Sequence, residues 1–301
     1  MKQITYSRVF TVVLAVFALK GFAQLPANDA SWQLQKQDNF NSYNSADWHA
    51  TYSWGNTNNG LEWNDPANLL YNSGWLEIKC EKLTTPIPCT GCTYSQYYYK
   101  SGAIFSKFQY KYGYYEISAK LPVGRGLWPA FWELGIGPAA SPCNYYNEID
   151  IAENGGGQSI SGQEMGFNMH HKAPPACTWW SLSGGTIPPG VVVGDITQEH
   201  KYAALWEPGK VTYFFDDNPI RVVEDAVHVP SNPLSTIINF AVDPWTQPDA
   251  STNFPAYFKI NYLNISQLKQ DCSTNENICT FNKSTYNYAV KKSVTISGCS
   301  N

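Results

Sequence analysis

Glu148-Ile149-Asp150-Ile151-Ala152-Glu153 places three carboxyl groups within six consecutive positions, and Asn154 and three glycines follow. On a regular β-strand Glu148 and Asp150 share one face, while Ile149 and Ile151 turn to the opposite, apolar one. Glu153 would then fall with the isoleucines, but a one-residue bulge at Ile151 and Ala152 returns it to the face of the other acids. Three like charges on one face repel, which raises the pKa of at least one member. Cleavage of a glycosidic bond needs one protonated and one ionised carboxyl. The retaining form sets them about 5–5.5 Å apart, a gap easier to meet on so short a strand than the roughly 6.5–9.5 Å of the inverting form. The plainer reading of the same run is a solvent-facing strand whose acids keep its surface polar.

Holding such a strand requires a sheet, and the rest of the chain supplies the elements. Short runs rich in Tyr, Ile, Val, Phe and Trp recur at 75–80, 103–106, 112–119, 211–215, 236–242 and 258–265, separated by Gly, Pro, Asn and Ser clusters. Many short strands with turn signals between them predict an all-β sandwich or barrel. Tyr114, Glu116 and Ser118 alternate with Tyr115, Ile117 and Ala119, the period of a half-buried strand. No long segment after the N-terminal leader shows helical periodicity. Two loop-like insertions are expected, at 84–99 and 174–194.

The chain has 301 residues, of which 11 Trp, 20 Tyr and 14 Phe make 15% aromatic. Rings in such number build a strand-rich core, or stack on pyranose faces in a groove where polar groups set orientation. A formal net charge of −4 and the lack of any Lys/Arg cluster argue against a nucleic-acid partner. Lys2 and Arg8 precede an apolar stretch from Val9 to Leu19, with Gly21 and Ala23 after it. That pattern predicts a signal peptide cleaved after Ala23, too short to span a bilayer. Eight cysteines (Cys80, Cys89, Cys92, Cys143, Cys177, Cys272, Cys279 and Cys299) behind an export signal read as disulfides. The competing zinc reading of Cys89-Thr-Gly-Cys92 lacks a second ligand pair. The expected organisation is a leader over 1–23, one sandwich domain over 24–268 and a disulfide-pinned appendage of it over 269–301.

Upstream of the acids stand Tyr112-Gly113-Tyr114-Tyr115-Glu116, Lys120-Leu121-Pro122 and Gly126-Leu127-Trp128-Pro129-Ala130-Phe131-Trp132. Together with the acid run, in this order, these strings resemble glycoside hydrolase family 16, in particular its laminarinase-like and agarase-like members with the bulged Glu-x-Asp-x-x-Glu motif. The resemblance implies a concanavalin-like β-jelly roll with a concave cleft, acting on a polysaccharide partner without a cofactor. It implies Glu148 as nucleophile, Glu153 as acid then base, and Asp150 as the group that tunes them. Trp128, Trp132 and Trp245 are expected in the groove, with Asn58 and Asn59 as polar contacts. His170 and His171 are adjacent on a neighbouring strand, so one of them reaches the cleft. His49, His200 and His228 are expected to be structural.

Ala103 departs from the arginine that many members carry. Asn39 and Asn261 stand where acids would hold calcium, so no metal is expected there. The chain is therefore expected to be a secreted or periplasmic monomer that cuts internal bonds of a β-1,3-glucan by double displacement. The alternatives are the same mechanism on a galactan such as agarose, and a non-catalytic lectin on the same scaffold.

Overall fold

The structure is a computed structural model, and it describes residues 32–136, 146–183 and 191–269. The leader at 1–23, Cys143, Cys272, Cys279, Cys299 and nearly all of the 269–301 appendage lie outside the described residues. The described residues all belong to one compact unit, Leu25–Lys269.

The first strands are β1 (Trp32–Asp38), β2 (Trp48–His49), β3 (Glu62–Asn64), β4 (Leu69–Asn72), β5 (Trp75–Pro88), β6 (Gln96–Ser101) and β7 (Ala103–Ser106). Then come β8 (Gly113–Lys120), β9 (Leu127–Ile136), β10 (Tyr146–Glu153), the single helical turn α1 (Gln158–Ser161), β11 (Glu164–Met165) and β12 (Asn168–Lys172). The chain continues through β13 (Trp180–Ser181), β14 (Val191–Val192), β15 (His200–Glu207), β16 (Lys210–Phe215), β17 (Asn218–Glu224), β18 (Ser235–Val242) and β19 (Ala256–Leu268).

Two large sheets face each other. One runs β17-β16-β15-β8-β19-β5-β6-β3, with β1 on β19 and β4 on β5; the other runs β13-β12-β10-β9-β18-β7-β2. Their inner faces meet in a single core. Tyr115 and Ile117 of β8, Trp206 of β15 and Ile260 of β19 pack there with Phe131 of β9, Ile149 and Ile151 of β10, and Phe240 of β18. Period-two alternation puts the next residue of each strand on the other side. On the seven-stranded sheet that outer side carries a smaller cluster of Ala103, Ala130, Trp132, Leu134 and Ile237 with Tyr52. The expected all-β sandwich is therefore the observed fold.

Two expectations change. The segment 84–99 is mostly a hairpin arm, because β5 runs on to Pro88 and pairs with β6 through Ile87 opposite Tyr97, and a Cys89–Cys92 disulfide closes its tip. The Thr, Pro and Tyr of this stretch suit an extended edge as well as a loop. Cys80 is not in a disulfide: it follows Leu76 and Ile78 on the core side of β5 and is a fully buried free thiol, its acidity suppressed chiefly by burial.

Glu133 is an unusual member of this interior. It lies between Trp132 and Leu134 on β9, so alternation turns it into the core, where it is 1% exposed. One carboxyl oxygen accepts a hydrogen bond from Thr236 Oγ1 at 3.1 Å and the other has no protein partner. Burial pushes its pKa well above the ordinary carboxylate range. In the unfolded chain a glutamate releases its proton near pH 4.3, whereas the folded chain retains it to higher pH. Stability therefore falls as pH rises from about 4.3 towards the folded value. Glu133→Gln is expected to remove that decline and stabilise the protein by about 1 kcal/mol or more at pH 8, with the advantage closing near pH 4. Melting curves of both proteins at pH 4, 6 and 8 check this, and a variant less stable than its parent at pH 8 would contradict it.

Candidate active site

Strand β10 lies between β9 and β12, and its register explains how three acids reach one face. Glu148 stands opposite Leu134 of β9 and His170 of β12, and Asp150 stands opposite Trp132. Between Asp150 and Ala152 the register against β9 shifts by a bulge, so that Glu153 stands opposite Ala130. Ala130 and Trp132 share the outer face, and the extra residue therefore turns Glu153 towards Asp150 and Glu148. Ile149 and Ile151 are buried on the core side. A bulge in this motif was an expectation from spacing, and the pairing contains one at that place.

The acids open onto a cleft lined also by Tyr52, Asn58, Asn59, Gly60, Glu62, Trp128, Trp132, Tyr146, Asn239 and Ala241. No Lys or Arg is among the lining residues. The Trp128 indole donates to Glu153 Oε1 at 3.0 Å, and the Trp132 indole donates to Asn239 Oδ1 at 2.7 Å. On the other side the Tyr146 hydroxyl donates to Glu148 Oε2. Trp245 is largely exposed, its ring 5.6 Å from that of Trp128. Trp179, also exposed, leans on Tyr146 at 5.2 Å and on His170 at 5.3 Å.

Burial dominates the electrostatics. Glu148 and Asp150 are 8% and 2% exposed, and desolvation raises the pKa of both. A carboxyl–carboxyl hydrogen bond joins them, favouring the charged form of Glu148 and the protonated form of Asp150. The half-buried Glu153 is raised to about 7, first by desolvation, against which the Trp128 hydrogen bond acts. Desolvation thus raises all three acids, Glu148 to about 8 and Glu153 to about 7, which keeps carboxyl protons in the cleft near neutrality, as acid chemistry requires.

The two histidines divide as alternation requires. His170 Nε2 lies 3.6 Å from both Glu148 Oε1 and Asp150 Oδ2, and burial lowers its pKa to about 4, so it sits there neutral. His171, named with it as a candidate, points the other way: its Nδ1 bonds Asn147 at 2.7 Å and its ring packs on His228. It does not line the cleft, because adjacent strand residues face opposite sides. His228 is held by Asp225 and stacks on Trp180, while His200 is held by Asp216.

Several lining residues were not singled out from the sequence. Tyr146 and Asn239 carried a signal, since Tyr146 precedes Glu148 by two positions and Asn239 is a polar break in an apolar strand. Tyr52 and Glu62 had none, as they arrive from distant segments. Glu62 is fully buried and raised to about 7 by desolvation, its Oε2 accepting from the Val242 amide at 2.7 Å. Gly60 packs so closely on that carboxyl that a Cβ there would lie 2.0 Å from Oε2.

Comparison with known proteins accords with this geometry. A glucan endo-1,3-beta-glucosidase A1 of Niallia circulans is 28% identical over 238 residues, which are 72% of this chain and 33% of that protein. An endo-1,3-1,4-beta-glycanase, EglC, of Rhizobium meliloti is 26% identical over 287 residues, or 85% of this chain and 58% of that one. The chain thus spans only about a third to three fifths of these two relatives. The catalytic domain of an endo-1,3-beta-glucanase (laminarinase) from Thermotoga petrophila superposes with a TM-score of 0.62 at 27% identity, covering 79% of this chain and 98% of that one. The family model for glycosyl hydrolases family 16 matches residues 56–264, and with the bulged acid strand set in a two-sheet sandwich, the chain belongs to that family.

Proposed function

We propose that this protein is an exported, endo-acting, retaining glycoside hydrolase that cuts an uncharged β-linked polysaccharide, with β-1,3-glucan as the substrate. The observation that carries the reading is the composition of the cleft: Glu148, Asp150, Glu153 and Glu62 with tryptophan and tyrosine rings, and no cation among the described lining residues. Rings and neutral donors suit the faces and hydroxyls of a neutral sugar. Four carboxyl groups without a counter-cation disfavour sulfated or uronic chains, whose charge would be desolvated beside like charge. The named relatives that act on 1,3-linked glucan support the same choice.

Glu148, ionised, attacks the anomeric carbon as Glu153 gives its proton to the leaving oxygen, and a glycosyl-enzyme ester forms. Glu153, now ionised, takes a proton from water, whose oxygen attacks the same carbon and releases Glu148. The proton on Asp150 keeps Glu148 charged before attack. Trp128, Trp132, Trp245 and Asn59 are assigned to sugar contact, together with His170.

Products released from laminarin, mixed-linkage glucan, agarose and carrageenan test the proposal. A ladder of oligosaccharides from laminarin, first appearing as β-anomers by NMR, is the expected result. Products appearing first as α-anomers would overturn the retaining mechanism, a ladder from agarose alone would move the substrate to a neutral galactan, and binding without cleavage of any polymer would leave a lectin.

A further inference from the structure

Glu148 must be ionised to attack, yet it is 8% exposed and burial opposes its charge. Something in the cleft has to hold that charge, and the described ion pairs offer it no Lys or Arg. His170 is the nearest basic group, but burial keeps it neutral and its Nε2 is 3.6 Å away. The charge therefore rests on neutral donors. Asp150 is one of them, but it donates only while it holds its own proton. The other is Tyr146, whose hydroxyl donates to Glu148 Oε2.

Resting on the reading of Glu148 as nucleophile, we propose that Tyr146 is a positioning residue for that nucleophile, holding Glu148 ionised and fixing which oxygen faces the sugar. Its placement follows from the strand. Two residues upstream on β10, it shares the cleft face with Glu148, and it is paired with Ile136 on one side and Lys172 on the other. Its ring is held against Trp179, 5.2 Å away at 42°, and Trp179 rests on His170 in turn. Strand register and ring packing thus aim the hydroxyl without help from substrate.

Tyr146 is a more constant donor than Asp150. Its pKa is pushed up, mainly by burial and then by the negative charge of Glu148, so it keeps its proton across the working range of any such enzyme. The arrangement also mirrors the far end of the strand, where the Trp128 indole donates to Glu153. Each reacting carboxyl thereby has one permanent, uncharged donor. A hydrogen bond to an ionised group is among the stronger ones. The Tyr146 hydroxyl occupies Glu148 Oε2 and so fixes the orientation of the carboxylate.

The test compares the full chain with Tyr146→Phe, which keeps the ring and removes the donor. Titration of the Glu148 carboxyl by 13C NMR, using selectively labelled glutamate and Glu148→Gln to assign the signal, reads the hydrogen bond without requiring turnover. The Glu148 pKa should rise in Tyr146→Phe. On laminarin, kcat/KM at the acid side of the profile should fall about 10- to 100-fold, with the acid limb moved to higher pH and KM nearly unchanged. An unshifted Glu148 titration would overturn the proposal, as would a loss confined to KM with an unmoved profile. If the parent cleaves no polymer, the functional reading fails while the NMR titration still decides the role of Tyr146. Thermal melts of both proteins separate misfolding from loss of the donor.

Discussion

Glu148→Ala is expected to lower kcat on laminarin by about four orders of magnitude, a loss of roughly 5 kcal/mol of transition-state stabilisation. The size follows from the loss of the covalent route, for no other ionised group on β10 stands in its place: Asp150 is nearly fully buried and favoured in its protonated form by its hydrogen bond to Glu148. The truncation also leaves a gap on the face from which the carboxylate attacked. Azide can enter there, and because it approaches opposite the leaving group, the product is the α-glycosyl azide, inverted from the β-linked substrate. Partial recovery of rate with azide, and an α-azide by NMR, check the assignment. A β-azide would exchange the roles of Glu148 and Glu153.

The second large effect is expected at Glu153. Its proton is needed by the leaving oxygen, and general acid catalysis contributes about 10²- to 10⁴-fold, so Glu153→Ala should slow polymer cleavage by about that factor. An aryl glycoside with a good leaving group needs no proton, so its first step should be nearly unaffected while release of the glycosyl-enzyme becomes slow. Azide then attacks the preserved ester from the other face and gives a β-glycosyl azide. The pH profile supplies a second check. Glu153 is raised to about 7 by desolvation and acts in its protonated form, so activity of the parent should fall as pH rises through that value. In Glu153→Ala, assayed on the aryl substrate for the first step, that alkaline limb should disappear. A limb unchanged by the substitution would assign it to another group.

The two outcomes are linked through charge. Glu153 raises the pKa of Glu148 and of Asp150, so its removal should also ease ionisation of Glu148. The acid limb of Glu153→Ala is therefore expected to move to lower pH, opposite to the shift expected for Tyr146→Phe. Measuring both variants on one substrate separates a lost repulsion from a lost donor.

Local spacing by itself determined the acid strand. The side-chain period of two assigns Glu148 and Asp150 to one face and Ile149 and Ile151 to the core, and the extra residue before Glu153 demands a bulge, which the pairing with β9 contains. The same period and the recurring turn signals determined the all-β class, since both are properties of a few adjacent residues. It also required that only one of His170 and His171 face the cleft, and could not say which, because that choice depends on the register of β12 against β10. Tertiary structure alone decided which groups from other strands reach the acids. The indole of Trp128 reaches Glu153 across a strand pair, and Tyr52 and Glu62 come to the cleft from segments about ninety residues away in the chain, so no local pattern encodes them. Cys80 shows the same division: the cysteine count and the expected export signal argue for a disulfide, but its place beside Leu76 and Ile78 on the core side of β5 keeps it a buried thiol. Periodicity settles which way a side chain points, whereas the partner it meets there is set by how strands far apart in sequence come to lie side by side.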